Sequence, residues 1–196
     1  EDFAGMFRYS KLIEDINNAD TSILSNITTV RMYKYFTPTL NSGIKYTLSY
    51  NNALYNPHSG HNSSGGGVIS SSGFKVNNDS SLNEHFLDDD GAGNLRLYYL
   101  SGSTRQYTDS TYGTVNYTTG EVILTSAHIT SISNVDGATS TQVRVFATPS
   151  SNDVVPVRNQ VLSIDTSNST MTGEVDAIAS GSSQAGTSYT TTSSYS

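Results

Sequence analysis

The oxygen ligands best placed for chemistry lie in residues 88–94, which read DDDGAGN. Clustered carboxylates before a glycine suggest calcium, and in an EF-hand loop the acids occupy positions one, three and five before a glycine at six. With Gly91 at position six, Phe86 falls at position one and the closing glutamate is missing. The run fails this test. We interpret it as a tight acidic turn that leads into a strand from Leu95, with an irregular cation site as the alternative.

The same carboxylates could supply the acid and the base of a glycoside hydrolase. That reaction needs two groups about 5 to 10 Å apart whose environments push their pKa values apart. Asp88, Asp89 and Asp90 are neighbours in one predicted turn and are expected to share one environment. A hydrolase that uses these three carboxylates is therefore the third of the functions considered.

Other residue types that carry chemistry do not form a recognisable site. His58 and His61 are three residues apart, but they lie in a Gly/Ser-rich stretch that cannot hold metal ligands in fixed geometry. The absence of cysteine excludes thiolate zinc sites, cysteine nucleophiles and a disulfide framework. No G-x-S-x-G elbow, phosphate-binding glycine loop or H-E-x-x-H helix occurs. We predict no enzyme, and no catalytic, cofactor-binding or metal-binding residue.

Charge limits the partners of the chain. The chain has ten Lys and Arg and 17 Asp and Glu, which gives a formal charge of −7. Residues 76–196 hold twelve acids and four bases. This balance predicts no nucleic-acid partner. No apolar run approaches the ~20 residues of a membrane span, so no membrane partner is expected either. The acidic part is either a solvated face or a docking surface for a basic partner.

Tyrosine is the dominant aromatic residue, with 13 Tyr against six Phe and no Trp. A tyrosine offers a large apolar body and a hydroxyl that still finds a partner, so it suits half-buried sheets and contact surfaces alike. The tyrosines are interpreted as sheet residues, with a contact platform for protein or sugar as the alternative.

The elements that must position these residues begin with one helix. Apolar side chains at Met6, Tyr9, Ile13 and Ile16 recur at steps of three and four, the spacing of one amphipathic helix of about three turns. Because asparagine tolerates the left-handed conformation that ends helices, the helix should stop at residues 17–18.

Most of the remaining chain shows the period of two that is typical of strands. Residues 44–50, 95–99 and 143–147 alternate apolar and polar side chains, which predicts half-buried antiparallel strands. Strand character returns at residues 161–164. In residues 112–124 two strand-like runs flank Thr118-Thr119-Gly120, and Gly120 can take the positive φ that a bulged hairpin turn needs.

These patterns predict a mainly β fold, α+β overall, with antiparallel sheets, one N-terminal helix packed against a sheet, and an extended C-terminal tail. Residues 1–55 are assigned to a small α/β unit, and residues 56–72, rich in Pro, Gly and Ser, to a flexible loop. Residues 73–176 are assigned to an antiparallel β domain. Residues 177–196 contain no charged side chain and are mostly Ser, Thr, Gly and Ala, which predicts an extended or disordered tail.

Several stretches together resemble one family, the baseplate wedge proteins of T4-like contractile-tailed bacteriophages. Their order resembles the later, C-terminal part of such a protein. The resemblance rests on RYSKLIEDINNADTSILSNITTVRMYK (8–34), IKYTLSYNNALY (44–55), FLDDDGAGNLRLYYL (86–100), GTVNYTTGEVIL (113–124) and NDVVPVRNQVLSID (152–165).

The resemblance implies a nonenzymatic structural subunit of the virion tail baseplate, made in the bacterial host cytoplasm. It implies that the subunit self-associates, with dimer contacts within a ring, and that it joins other wedge proteins around the central hub. The family offers no catalytic residues, and no cofactor is implied. The alternative from another class is a carbohydrate-binding or adhesin-like β-sandwich that presents a row of tyrosines to a glycan.

Overall fold

The computed structural model describes residues 5–61, 67–156 and 162–174. These residues form a mainly β fold in which all strand pairs are antiparallel, as predicted. One α-helix is present within them, α1 (Tyr9–Ala19). The strands are β1 (Met32–Phe36), β2 (Gly43–Ser49), β3 (Ile69–Ser71), β4 (Phe74–Val76), β5 (His85–Asp89), β6 (Asn94–Ser101), β7 (Thr104–Asn116), β8 (Glu121–Ile132) and β9 (Val143–Ala147).

The strands form two sheets. One has three strands in the order β1-β9-β3, and the other has six in the order β2-β8-β4-β5-β6-β7. Because β7 also pairs with β8, strands β4 to β8 close into a ring of hydrogen-bonded neighbours. Strand β8 is therefore the centre of the larger sheet, with β2, β4 and β7 all paired to it.

One hydrophobic core joins the two sheets, and every strand contributes a buried side chain to it. The alternation predicted over residues 44–50 is confirmed, since Leu48 and Tyr50 are buried while Lys45 and Thr47 are exposed. The Tyr50 side chain extends through the core, and its hydroxyl donates a hydrogen bond of 2.7 Å to the carbonyl of Val145 in the three-stranded sheet. Burial raises the pKa of Tyr50, so this hydroxyl stays a donor at neutral pH.

Strand β6 differs from its prediction. The pattern at residues 95–99 predicts a half-buried strand, and Leu95 and Leu97 do face the core. The side chains of Arg96 and Tyr98, on the opposite face, are also buried. The reason is a buried ionic network on that second face, described below, which a rule based on apolar alternation does not detect.

The hairpin predicted in residues 112–124 is confirmed as the β7–β8 connection. The Asn116 side chain accepts hydrogen bonds from the backbone N–H groups of Thr118 and Thr119, both at 3.1 Å, and so shapes the turn. Gly120 has φ +69°. A Cβ atom at this position would overlap the carbonyl oxygen of Asn52, so both conformation and space require glycine.

The helix begins close to its predicted position but ends later. It runs to Ala19, and Asp20 follows in extended conformation, so no left-handed asparagine ends it. None of its residues is buried, which makes its packing against the rest of the fold partial. The carboxylate of Asp153, far along the chain, accepts a hydrogen bond of 2.8 Å from the backbone N–H of Tyr9 and caps the helix N-terminus.

The segment assigned to a loop, residues 56–72, contains strand β3. Ile69 in this strand is fully buried, and its backbone N–H donates to the carboxylate of Asp89 at 2.8 Å. A single apolar pair, Val68 and Ile69, thus anchors an otherwise polar stretch in the core. The strand expected at residues 161–164 is not found at 162–164, while Val161 lies outside the described residues.

The chain divides into two compact units, Glu1–Leu162 and Ser163–Ser196. In the second unit the described residues contain a short 3-10 turn, Thr166–Asn168, capped by the Asp165 carboxylate through the backbone N–H groups of Ser167 and Asn168. The tail predicted for residues 177–196 lies outside the described residues.

Candidate functional site

The buried carboxylate of Asp88 lies at the centre of an ionic network that reaches the surface at Arg105 and Tyr107. Its Oδ1 accepts a hydrogen bond from Arg96 Nε at 2.9 Å, and its Oδ2 accepts from Arg105 at 2.6 Å and from the Tyr107 hydroxyl at 2.8 Å. Arg96 also lies over the Tyr107 ring at 4.3 Å, and Arg105 over the Tyr98 ring at 4.6 Å. Both oxygens of Asp88 are thus occupied by groups of the protein itself.

Asp89 is also buried, but it faces the other way. Its Oδ1 accepts the backbone N–H of Ile69, and its Oδ2 accepts the hydroxyl of Tyr117 at 2.7 Å. Burial, and then this hydrogen bond, raises the pKa of Tyr117. The carboxylate therefore connects β5 to β3 and to the β7–β8 turn.

Asp90 closes the acidic turn. Its oxygens accept hydrogen bonds from the backbone N–H of Ala92 at 2.7 Å, and from the backbone N–H and side-chain amide of Asn94 at 3.0 and 2.6 Å. Burial acts to raise the pKa of Asp90, but the bonds from Asn94 and Ala92 outweigh it and hold the pKa below its ordinary value. The tight turn predicted here is present, leading into β6.

The expectation that the three carboxylates share one environment is wrong. Asp88 and Asp89 are buried on opposite faces of β5, whereas Asp90 is half-buried in the turn. Each has its own set of structural partners, so the arrangement holds strands together and leaves none of them poised over a cleft for acid–base chemistry.

The sequence interpretation missed Arg96 and Arg105 as partners of Asp88. A signal for the first was available: a turn centred on Ala92 pairs residue 88 with residue 96, and the observed register has this pair. Opposite charges at directly paired positions of a hairpin attract. Arg105 comes from β7 and has no comparable local signal.

The histidine pair is close but exposed. His61 Nδ1 lies 3.4 Å from His58 Nε2, and the His61 ring meets the Tyr55 ring edge-on at 5.4 Å. In the part of the chain that the structure describes, no group of three or more His, Asp or Glu side chains is arranged to hold a metal ion.

Tyrosines gather on the outer face of the three-stranded sheet, in an aromatic–arginine face formed by Arg31, Tyr33, Tyr35, Arg144 and Phe146. Tyr33 meets Tyr35 and Phe146 edge-on, at 5.3 and 5.8 Å between centroids. The Arg144 guanidinium lies within 5.7 Å of all three rings. Arginine thus lies against all three rings, while Tyr35 stays 45% exposed.

A different kind of surface is formed by what we call the N-terminal segment, residues 5–35. Large apolar side chains here are open to solvent: the exposed fraction is 43% for Met6, 63% for Leu24 and 101% for Ile27. Residues 24–31 belong to no helix or strand. Exposed large apolar side chains such as these are candidates for contact with another molecule.

The N-terminal segment is nevertheless attached to the fold. Phe7 and Val154 exchange two backbone hydrogen bonds of 2.9 and 3.0 Å. The Tyr9 hydroxyl donates to the carbonyl of Thr28 at 2.9 Å, and the Asn26 amide donates to Asn17 at 2.7 Å. The helix and the stretch after it thus hold each other in place while Leu24 and Ile27 point away from the core.

The comparisons with known proteins concern this same segment. The family model described as baseplate structural protein gp6, C-terminal domain III, matches residues 1–35. Of the stretches that carry the sequence resemblance, 8–34 lies within the match, which covers α1 and most of β1. No curated protein matches the chain, and no solved structure does.

The match relates the chain to structural proteins of the phage tail baseplate and favours a nonenzymatic role. None of the helices in the described residues is long and apolar enough to cross a membrane.

Proposed function

We propose that this protein is a structural subunit of a phage tail baseplate wedge, and that copies of it associate to join wedges into the ring around the hub. The proposal rests on an overlap between the family match and the exposed apolar residues. The segment similar to baseplate protein gp6 is also the segment that exposes Leu24 and Ile27.

The energetics support a contact at this surface. Burying a leucine or isoleucine side chain that was exposed contributes about 1.5–3 kcal/mol, so two such side chains contribute several kcal/mol to an interface. The Tyr9–Thr28 and Asn26–Asn17 hydrogen bonds hold the backbone around them in place before binding. Preorganisation of this kind lowers the entropic cost of association.

A ring requires that each subunit use contacts that close after a whole number of copies. The N-terminal segment supplies one contact in this proposal. Residues 76–196 hold eight more acids than bases. Asp88 and Asp89 are buried, but exposed carboxylates such as that of Glu84 are open to a basic neighbour among the other wedge proteins. The proposed location is the virion tail baseplate, which the match to baseplate protein gp6 over residues 1–35 supports.

The test is the mass of the protein in solution, by size-exclusion chromatography with light scattering over a concentration series. We expect the average mass of the wild-type chain to rise above the monomer value of 21.0 kDa as concentration increases. The double variant Leu24→Ser with Ile27→Ser should stay at the monomer mass.

The matched control is Leu100→Ser, since Leu100 is an exposed leucine, 49% open, at the distant β6–β7 hairpin. This variant should associate as the wild type does. A wild-type chain that stays monomeric at every concentration, or equal loss of association in Leu100→Ser, contradicts the proposal.

A further inference from the structure

Strand β8 leaves an opening in the ring of strands. Its first residues, Glu121–Leu124, pair with β7, and Ile129–Ile132 pair with β4. Between these two stretches Thr125, Ser126 and His128 line a cleft of about 600 Å³. This volume lies within the range of small-molecule sites, about 300–1,000 Å³.

The lining of this polar cleft is suited to an uncharged ligand. Eight of its sixteen residues are Ser, Thr or Asn, and none is Lys or Arg. The two carboxylates in it are already engaged: Asp79 accepts the backbone N–H groups of Ser81 and Asn83 at 2.9 and 2.7 Å, and Asp109 accepts that of Thr111 at 2.8 Å. The cleft therefore offers many hydroxyl and amide groups, and its two carboxylates are held by the backbone of the protein.

Two buried polar atoms at this cleft lack a hydrogen-bond partner among the described residues, His85 Nε2 and the Tyr112 hydroxyl oxygen. His85 is fully buried, and its Nδ1 lies 3.1 Å from the carbonyl of Asn83, so Nδ1 carries the proton and Nε2 is an acceptor. A buried polar atom without a partner is costly, and such atoms in native proteins often belong to a binding site.

The two atoms are chemically complementary. Burial, and then Asp109, raises the pKa of Tyr112 to about 12. The backbone N–H of His128 is near enough to lower it slightly, but its geometry falls short of a hydrogen bond. The Tyr112 hydroxyl therefore keeps its proton and can donate, whereas His85 Nε2 can accept. The Tyr99 ring, edge-on to His85 at 5.7 Å, adds an aromatic wall to the same cleft.

We infer that the polar cleft binds a small uncharged polyhydroxylated molecule of the size of a monosaccharide unit, with Tyr112 as donor and His85 as acceptor. A sugar hydroxyl both donates and accepts, and a sugar ring presents C–H groups that pack on an aromatic wall. This site is separate from the aromatic–arginine face and does not depend on self-association. Because both atoms have almost no exposed surface, a ligand reaches them only when neighbouring side chains move.

The experiment is saturation-transfer NMR on the full chain with the methyl glycosides of glucose, galactose and N-acetylglucosamine, and with glucuronate and glucosamine as charged probes. We expect saturation transfer to at least one neutral glycoside and weaker transfer to glucuronate, because the two carboxylates of the cleft repel an anion. Stronger transfer to glucosamine than to every neutral glycoside would contradict an uncharged ligand. In the ¹⁵N-labelled protein the His85 Nε2 resonance should shift on addition of that glycoside, while those of the exposed His58 and His61 should not.

Variants test the assignment of Tyr112. Tyr112→Phe should weaken the affinity about fivefold or more, because one hydrogen bond to the ligand is lost, while its melting temperature is unchanged or higher. Tyr98→Phe, on the opposite face of β6, should bind as the wild type does. Thr125→Val provides a second cleft variant, at an exposed lining position, and should also weaken binding.

The inference is overturned if none of the three neutral glycosides shows saturation transfer at about 10 mM, a concentration that detects even millimolar affinity. It is also overturned if binding occurs but Tyr112→Phe and Thr125→Val both leave the affinity unchanged, or if Tyr98→Phe reduces it equally.

Discussion

The acidic turn and the N-terminal segment differ in the kind of side chain that each buries. In the turn, charged Asp88 and Asp89 are buried and paired, and they connect β5 to three other strands. In the N-terminal segment, apolar Leu24 and Ile27 are exposed. The comparison shows that the residue types that suggest chemistry stabilise the fold, whereas residue types that suggest a core are open to solvent, at the surface where we propose a contact between copies.

The largest effect is expected at Asp88. Asp88→Asn removes the negative charge between Arg96 and Arg105, and a buried charge left without its partner destabilises a protein by about 3–5 kcal/mol. The free energy of unfolding, measured by urea denaturation, should fall by that amount. The control is Asp15→Asn, whose carboxylate pairs with Lys11 on the exposed helix surface and contributes about 0.5 kcal/mol or less. A loss below about 1 kcal/mol in Asp88→Asn contradicts a structural role for the network.

Next in size is the hydrogen bond from Tyr117 to Asp89. Tyr117→Phe removes a donor to a charged acceptor, and such bonds contribute about 1.5–3 kcal/mol. Chemical denaturation should show a loss in this range. Tyr55→Phe, with a tyrosine that is 44% exposed, is the matched control and should leave the stability unchanged. Equal losses of stability in both variants would show that the hydrogen bond from Tyr117 to Asp89 contributes no more than the hydroxyl of an exposed tyrosine.

A smaller effect follows from the lowered pKa of Asp90. Because the folded-state pKa lies below the unfolded value of about 4, the Asp90 carboxylate stabilises the fold above pH 4, and the stabilisation is lost as the pH falls through the folded pKa. Since this carboxylate is half-exposed, the contribution is below about 1 kcal/mol. Asp90→Asn should reduce the drop in urea midpoint between pH 5 and pH 3. An identical pH profile in the variant and the wild type contradicts the assignment.

The smallest effect on stability is expected in the N-terminal segment. Leu24→Ser with Ile27→Ser should change the free energy of unfolding of the monomer by about 0.5 kcal/mol or less, because neither side chain packs in the core. The measurement is urea denaturation at a concentration where the chain is monomeric. A loss above about 2 kcal/mol would mean that these side chains stabilise the fold rather than an interface.

Sequence reasoning predicted what depends on local pattern. The period of two at residues 44–50 predicted a strand, and the glycine at position 120 predicted a turn. Both signals are local, because alternation and positive φ depend on residues that are neighbours in the sequence. It failed where contacts between residues far apart in the sequence determine the structure. Strand β3 exists because Ile69 fits the shared core, and the half-buried Arg105 is held by an ion pair with Asp88 of another strand.

The candidate contact surface was harder to predict for a related reason. Leu24 and Ile27 have the residue types of a core, and exposure is decided by the rest of the fold. The resemblance at residues 8–34 includes Leu24 and Ile27 but does not indicate that their side chains are open to solvent. The polar cleft has no local pattern, since its lining comes from β4 to β8 and the loops between them.

The central claim is that residues 5–35 carry a contact between copies of this protein. Hydrogen–deuterium exchange at low and high protein concentration tests it directly, because it reports protection along the chain. We predict that backbone amides of residues 20–31 become protected as concentration rises, while those of the β6–β7 hairpin around Gly102 exchange equally at both concentrations. Concentration-dependent protection elsewhere in the chain, with none in residues 20–31, would contradict the claim.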